Sequence, residues 1–489
     1  MESHIDYEKL HSRIEENLNS KAIPALVNFV RVPNVSKHFD KEWRTNGLFK
    51  KAAQVCLDYS KEMNIEGLVL DYYEDEGKTP FIFGTVPASN AVTKERPYTV
   101  MFYGHLDKQP PMAEKWRQGL HPYEPVIEDE KLYGRGGADD GYNFFSVLSI
   151  IKSLQEAKVP HGKMVLFYEF DEESGSDDII HYLRKFRDRM GEVDMILILD
   201  TSSISTNHFT IMSSLKGLVS FDLKVSVLDK SIHSGFTGTA PSSFRIARQL
   251  LDRIEDSKTG VMMPELQTEI PADKYQFVKD LVEIMGQTVL TTLPFLPGVD
   301  QGISPLEAYL NRSWRPQLEL IGQDNIPKLD IAGNVLRDHT LLRFNIRIPP
   351  TLSSDQAFEA VKKKLEENPP YNVKVEVTDV GSVTGVNCKA IPEGVQSIID
   401  KHSLKVFGSK LVAAANGGTI GFVKQIAEEM PNSLILITGA TLPTSLIHGP
   451  NENLDLAFLR RYCKVIGGIL ADCELRHSAV SSGAEPKKN

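Results

Sequence analysis

The chain has 489 residues, of which 41% are apolar and 25% charged, and its 65 acidic against 55 basic side chains give a net charge of −10. That length exceeds what a single hydrophobic core organises, so two domains are expected. The acidic balance, with no Lys/Arg-rich stripe, argues against a nucleic-acid footprint and an anionic membrane surface, and no stretch reaches the roughly 18 apolar residues of a membrane span.

In chain order, the N-terminal MESHIDYEKLHSRIEENLNSKAI is charged and helix-like, without an apolar signal core. One helical pattern runs from about Asp6 to Val32, and KKAAQVCLDYSKEMN reads as a second amphipathic helix. YTVMFYG is a strand, FFSVLSIIKSLQEA a helix, KMVLFYEF a buried strand, DDIIHYLRKFRDRM a helix and VDMILILD another buried strand. Strands alternating with helices predict an α/β domain, its mostly parallel sheet flanked by helices. After about Ser213 the pattern changes. GLVSFDLKVSVLD alternates like a half-exposed strand and FRIARQLLDRIED is a helix, followed by an irregular Pro- and Gly-rich segment from Pro264 to about Gly333. The strand LLRFNIRIPP, the helix SSDQAFEAVKKKLEEN and the strand YNVKVEVTDV complete an inserted α+β domain over 214–385. The α/β style then resumes with the strand NSLILITG and the helix LDLAFLRRYCKVIGGILADCELR, so 1–213 and 386–489 form one discontinuous domain. The tail SSGAEPKKN is expected to be disordered. Cys56, Cys388, Cys463 and Cys473 are widely spaced without a CxxC pair, which fits reduced thiols and a cytoplasmic location.

In open α/β sheets ligands collect beyond the carboxyl ends of the strands. His105 and Asp107 follow YTVMFYG, and Asp171, Glu172 and Glu173 follow KMVLFYEF. Asp200 closes VDMILIL, His448 lies in the loop after NSLILITG, and LYGRGGADDGYN supplies Asp139 and Asp140 before a helix. Two histidines and several carboxylates on one edge suit Zn²⁺ or Mn²⁺. A pair of such ions offsets the repulsion among adjacent acids and supports hydrolysis by activating water and polarising a carbonyl. An EF-hand in DEESGSDD is excluded, because its sixth position is Ser176 and its twelfth Tyr182. Asp177 and Asp178 are expected as charges at a helix N-terminus. Asp171 has no assigned role, and His121, His161 and His181 lie away from the other ligands.

FYGHLDKQP, LYGRGGADDG, FDEESGS, LILDTS, SIHSGFTG and LIHGPNE resemble, in this order, the signature segments of the M20 family of binuclear zinc peptidases, and most of all its carnosinase-like cytosolic nonspecific dipeptidase branch. The resemblance implies that His105 and Asp200 bind one metal ion, Glu173 and His448 the other, and that Asp139 bridges both. It implies that Asp107 orients His105 and that Glu172 is the general base. It makes 214–385 a lid and dimerisation domain whose His233 reaches the partner subunit's site to stabilise the oxyanion. Asn334 and Arg347 are implied as substrate contacts, Arg347 for a C-terminal carboxylate, and Gly417, Gly418 and Thr419 as pocket-lining groups. A cis peptide bond is usual in the family where Asp139–Asp140 stands here. Three segments depart from its pattern: ADDGYN carries Tyr142 and Asn143 in place of a lysine-containing continuation, NVLRD lacks a proline, and GGTIGF has Gly421 where proline is frequent. All three are expected to border substrate-facing loops.

The expectation is therefore a homodimeric hydrolase with two divalent ions per subunit, Zn²⁺ with Mn²⁺ as the alternative, which removes the C-terminal residue of dipeptides or short peptides. An N-acyl-amino-acid deacylase shares the metal core. A catalytically dead binding protein is disfavoured by the complete set of ligands and base.

Overall fold

The apolar runs that end in candidate ligands form neighbouring parallel strands. The computed structural model describes residues 5–90, 92, 96–291, 293 and 295–475, and the disorder expected for SSGAEPKKN falls outside the described residues. The chain divides into two units: Met1–Met212, Lys389–Val412 and Gln425–Asn489 form the first, Ser213–Cys388 and Ala413–Lys424 the second.

The first unit holds β1 (Val69–Tyr73), β2 (Phe81–Val86), β3 (Thr99–His105), β4 (Lys163–Glu169), β5 (Met195–Ile198) and β6 (Leu434–Ile437), in the spatial order β1-β2-β4-β3-β5-β6. β4, β3, β5 and β6 are mutually parallel, with Tyr103 between Phe167 and Ile198 and Leu197 opposite Leu436, whereas β1 and β2 add an antiparallel edge. Every residue of β3 is buried, as an interior parallel strand covered on both faces requires. The helix Tyr142–Ala157 is buried nearly all round, which explains why FFSVLSII shows no polar face. It packs with Tyr7–Asn17 and the C-terminal helix Leu456–Leu475 around a core that includes Leu10, Ile14, Phe145, Leu148, Ile466 and Ile469. No helix among the described residues is long and apolar enough to cross a membrane.

In place of one helix over Asp6–Val32, the chain forms Tyr7–Asn17, a π turn at Leu18–Ala22, and Ile23–Val30 with Pro24 in its first turn. Pro24 has no N–H to continue the preceding ladder, and a first turn is where that lack is tolerated. Asp6 caps the first helix by accepting the Lys9 N–H at 3.0 Å.

The second unit is built on an antiparallel sheet in the order Gln317–Asp324, His339–Ile348, Gly217–Ser226, Lys374–Val383. Gly217–Ser226 alternates strictly between buried and half-buried positions, and its inward Val219, Phe221, Leu223 and Val225 pack with Leu342, Phe344 and Ile346. The segment read as irregular contains the helices Ala272–Met285, Thr288–Thr291 and Pro305–Ser313 and the edge strand Gln317–Asp324. Both termini of the longest helix are marked by chain breakers, Pro271 and Gly286, whose density obscured the period between them.

Candidate metal centre

Parallel strands put their carboxyl ends on one edge of a sheet, and the polar loops of the first unit gather there. His105 is the last residue of β3, Glu172 and Glu173 open a single turn three residues beyond β4, and Asp200 lies two residues beyond β5. His448, in the long loop after β6, has φ +61°, a left-handed backbone that redirects its ring. Asp139 lies in the tight turn Gly137–Gly141, and its peptide bond to Asp140 is cis.

Two three-residue sets result, His105 with Asp139 and Asp200, and Asp139 with Glu173 and His448, the ligand atoms of each set within 4.8 Å of one another. Asp139 belongs to both. Its Oδ1 lies 3.2 Å from His105 Nε2 and its Oδ2 2.9 Å from His448 Nε2. His105 Nε2 is 3.9 Å from Asp200, and His448 Nε2 is 3.4 Å from Glu173. The other His105 nitrogen, Nδ1, lies 3.3 Å from Asp107 Oδ1, the arrangement that fixes a ligand tautomer. Asp107 also accepts the backbone N–H of Glu172 at 3.2 Å and of Glu173 at 3.1 Å.

Burial pushes the Glu172 and Glu173 carboxyls well above the usual range, reinforced by the charge of Asp200 on the first and of Asp139 on the second. Burial likewise lifts Asp200 to about 6. Burial acts to raise Asp139 too, but His105 and His448 hold it below the ordinary carboxylate range. His105, disfavoured as a cation by burial, is kept well above its usual value by Asp107 and Asp139. Among the described residues, a buried oxygen of Glu173, Oε1, has no hydrogen-bond partner. Crowded buried carboxylates whose mutual charge is uncompensated, together with two histidines in a mixed N/O donor set, fit a divalent cation, whose binding would displace the retained protons.

Sequence reasoning overlooked several neighbours. Gln109 Nε2 donates to Glu173 Oε2 at 2.5 Å, Lys37 pairs with Asp171 and Asp177 at 2.8 Å each, and Glu452 accepts from Arg135 at 2.7 Å. Glu452 stands in HGPNE and Gln109 in HLDKQ, each four residues past a ligand, but their partners are remote in sequence. Asp171 thus acquires a role as the buried partner of Lys37. Asp178 stands at the N-cap position of Ile179–Lys185, yet its carboxylate accepts from Thr79 and Lys78 and does not cap that helix. Tyr142 and Asn143 also have buried partners. Tyr142 donates to the Leu199 carbonyl beside Asp200 and accepts the Ala440 N–H, while Asn143 donates to Asp140 and the Tyr103 carbonyl. Both are buried, and they brace the ligand loops from beneath.

The remaining site residues lie in the second unit. His233 and Asn334 are both exposed; His233 lies on a two-strand ribbon in which Ile232 pairs with Leu336 and His233 with Val335, and Asn334 immediately precedes the second strand. His233 Nδ1 accepts the Gly235 N–H at 3.0 Å, which places the neutral ring's proton on Nε2. Arg347 Nη1 donates to Thr419 Oγ1 at 2.8 Å, and Thr419 in turn donates to the Lys216 carbonyl at 2.6 Å. The Gly418 N–H is taken by Asn416 Oδ1 at 2.9 Å. Gly417 packs against the Arg312 carbonyl, where an added Cβ meets oxygen at 2.6 Å.

The profile of peptidase family M20/M25/M40 matches residues 101–472. A cysteinylglycine-S-conjugate dipeptidase of Corynebacterium striatum is 26% identical over 370 residues, covering 73% of this chain and 77% of its own. A Beta-Ala-His dipeptidase of Homo sapiens is 26% identical over 373 residues, 73% of this chain and 71% of its own. Among solved structures, the dipeptidase Dug1p of Saccharomyces cerevisiae superposes with a TM-score of 0.73 at 19% identity, over 95% of this chain and 98% of its own, a likeness of fold.

Proposed function

The chain belongs to peptidase family M20/M25/M40, and we propose that it is a metal-dependent dipeptidase that hydrolyses dipeptides or short peptides and releases the C-terminal amino acid. The observation that carries this reading is the pair of ligand sets joined through Asp139. The dipeptidases named above match nearly three quarters of the chain, which favours peptides over N-acyl amino acids as substrates.

In this reading His105 and Asp200 hold one divalent ion, Glu173 and His448 a second, and Asp139 both, Zn²⁺ being our assignment with Mn²⁺ as the alternative. When bound, the ions offset the charge of the crowded acids, lower the pKa of water and polarise the scissile carbonyl. Glu172 takes the proton of the attacking water on its carboxylate and passes it to the amine nitrogen as the C–N bond breaks. Asp107 keeps His105 Nε2 turned toward the ligand set and anchors the backbone that carries Glu172 and Glu173. Gln109 holds Glu173 Oε2, the oxygen that lies 3.4 Å from His448 Nε2. Arg347, steadied by Thr419, takes the substrate's terminal carboxylate, with Asn334 a further polar contact and Gly417 and Gly418 shaping the wall beside it.

The inserted domain over 214–385 serves as lid and dimerisation domain, and His233 acts in trans, its Nε2–H donating to the oxyanion of the tetrahedral intermediate. Exposed Leu320, Ile321, Leu329 and Ile331 on and after the edge strand Gln317–Asp324 supply an apolar surface suited to a second copy. The four free cysteines fit a reducing, cytoplasmic setting.

The test is a hydrolysis screen of dipeptides, tripeptides and N-acyl amino acids with Zn²⁺ or Mn²⁺ supplied. Cleavage of dipeptides that a chelator abolishes is expected. Turnover confined to N-acyl amino acids refutes the dipeptidase reading.

A further inference from the structure

Glu452 and Arg135 take part in no step of the proposed reaction, yet they meet beneath the two loops that carry Asp139 and His448. Their side chains are 0% and 1% exposed. One carboxylate oxygen, Oε1, accepts three backbone N–H groups, from Gly136 at 3.0 Å, Ala138 at 3.1 Å and Asp139 at 3.1 Å. The other, Oε2, accepts Arg135 Nη1 at 2.7 Å. The rest of the guanidinium donates to the Gly449 carbonyl at 2.9 Å and the Pro110 carbonyl at 3.2 Å. One buried ion pair thereby touches the turn of Asp139, the residue after His448 and the residue after Gln109.

The loops enter this junction together. Tyr133 pairs with Asn453 and Leu132 with Leu454 in an antiparallel ribbon, and the Gly134 N–H donates to the Glu452 carbonyl at 3.0 Å. Asp139 lies four residues after Arg135, and His448 four residues before Glu452. Three N–H groups converging on one oxygen set the peptide planes of the turn, and those planes aim the Asp139 carboxylate. The Arg135 bond to Gly449 supports the left-handed backbone at His448.

We propose that Arg135 and Glu452 are positioning residues for the binuclear centre, fixing Asp139 and His448 relative to one another so that the shared carboxylate and the loop histidine meet the same ion. This rests on the metal-dependent reading above. Buried charge pairs with their hydrogen bonds complete act as rigid templates, and a half-satisfied one does not. A glutamine at 452 keeps the shape but faces an NH₂ group toward either Arg135 or the three N–H donors. A lysine at 135 keeps the charge and loses the planar fork.

The experiment uses the full chain, stripped of metal, as parent, Glu452→Gln and Arg135→Lys. Each is titrated with Zn²⁺ against a chromophoric chelator, with thermal melts of the metal-free forms and steady-state kinetics in parallel. The parent is expected to bind two ions, and each variant to keep a cooperative melt while its weaker ion binds at least about tenfold less tightly, with kcat falling more than KM rises. If Glu452→Gln does not fold, Arg135→Lys carries the test. A folded variant with both affinities within about threefold of the parent overturns the proposal, whether or not its melting temperature drops. A parent that binds no Zn²⁺ refutes the metal-dependent reading itself, and this proposal with it.

Discussion

Asp107 serves three groups with one carboxylate: His105 Nδ1 and the backbone N–H groups of Glu172 and Glu173. Asp107→Asn replaces one of those acceptor oxygens by an NH₂ group, so the His105 orientation and the Glu172–Glu173 turn cannot both be held. Metal affinity is expected to fall about ten- to hundredfold, read by chelator competition, and wild-type affinity refutes the role. Glu172→Gln is expected to keep its Zn²⁺ content by elemental analysis while kcat drops by about two to four orders of magnitude; near-normal turnover removes Glu172 as the base. At this scale HLD, DEE, LILD and IHGPNE were legible as polar groups at or beyond apolar strands and ADD as acids before a helix, but which of these acids belong to the two sets came from the resemblance to the family. Lys37 and Arg135 were not legible, since Lys37 lies 134 residues from Asp171 and Arg135 lies 317 from Glu452. Nothing local to either residue announces a buried partner so far away.

Among the elements, buried parallel strands were the most legible because an apolar run covered on both faces has few other readings. The exposed edge strand Gln317–Asp324 was not, since a register shift between Leu320 and Gly322 breaks the alternation and its outer side chains are solvent-exposed. Helix junctions in the first unit depend on a polar knot that periodicity does not show. Asp472, on Leu456–Leu475, accepts from Tyr7 at 2.5 Å, Lys401 at 2.7 Å and His402 at 3.1 Å, joining three helices. Burial acts to raise the Asp472 carboxyl, but His402, Lys401 and Tyr7 hold it below the usual range. A carboxyl with a lower pKa folded than unfolded contributes stability above its unfolded value, about 3.9, and loses it as pH falls toward the folded value. Asp472→Asn is therefore expected to cost about 1–3 kcal/mol at pH 7, read from the urea midpoint, with the gap to the parent narrowing below about pH 4. A gap that stays constant with pH contradicts an ionised Asp472 in the folded state.

For the whole molecule, the proposed sharing of sites between subunits predicts complementation. Heterodimers of His233→Ala with Glu172→Gln are expected to recover part of the activity that neither homodimer shows, because one of their two sites receives both an intact base and an intact histidine. Verified heterodimers without activity contradict the trans assignment. The change of pattern near Ser213 made the start of the second unit legible. The association of Ala413–Lys424 with the second unit was not, because ANGGTIGF carries neither a strand nor a helix period. The first unit's assembly from three separate stretches also bears on how the protein is made. His448 is synthesised 248 residues after Asp200, a delay of roughly 12–50 s at ribosomal speeds of about 5–20 residues per second. Throughout that interval the nascent chain carries His105, Asp139, Glu172, Glu173 and Asp200 without His448, so on the proposed ligand assignment the second set stays incomplete, and peptide cleavage is expected to be silent, until the loop after β6 has been translated.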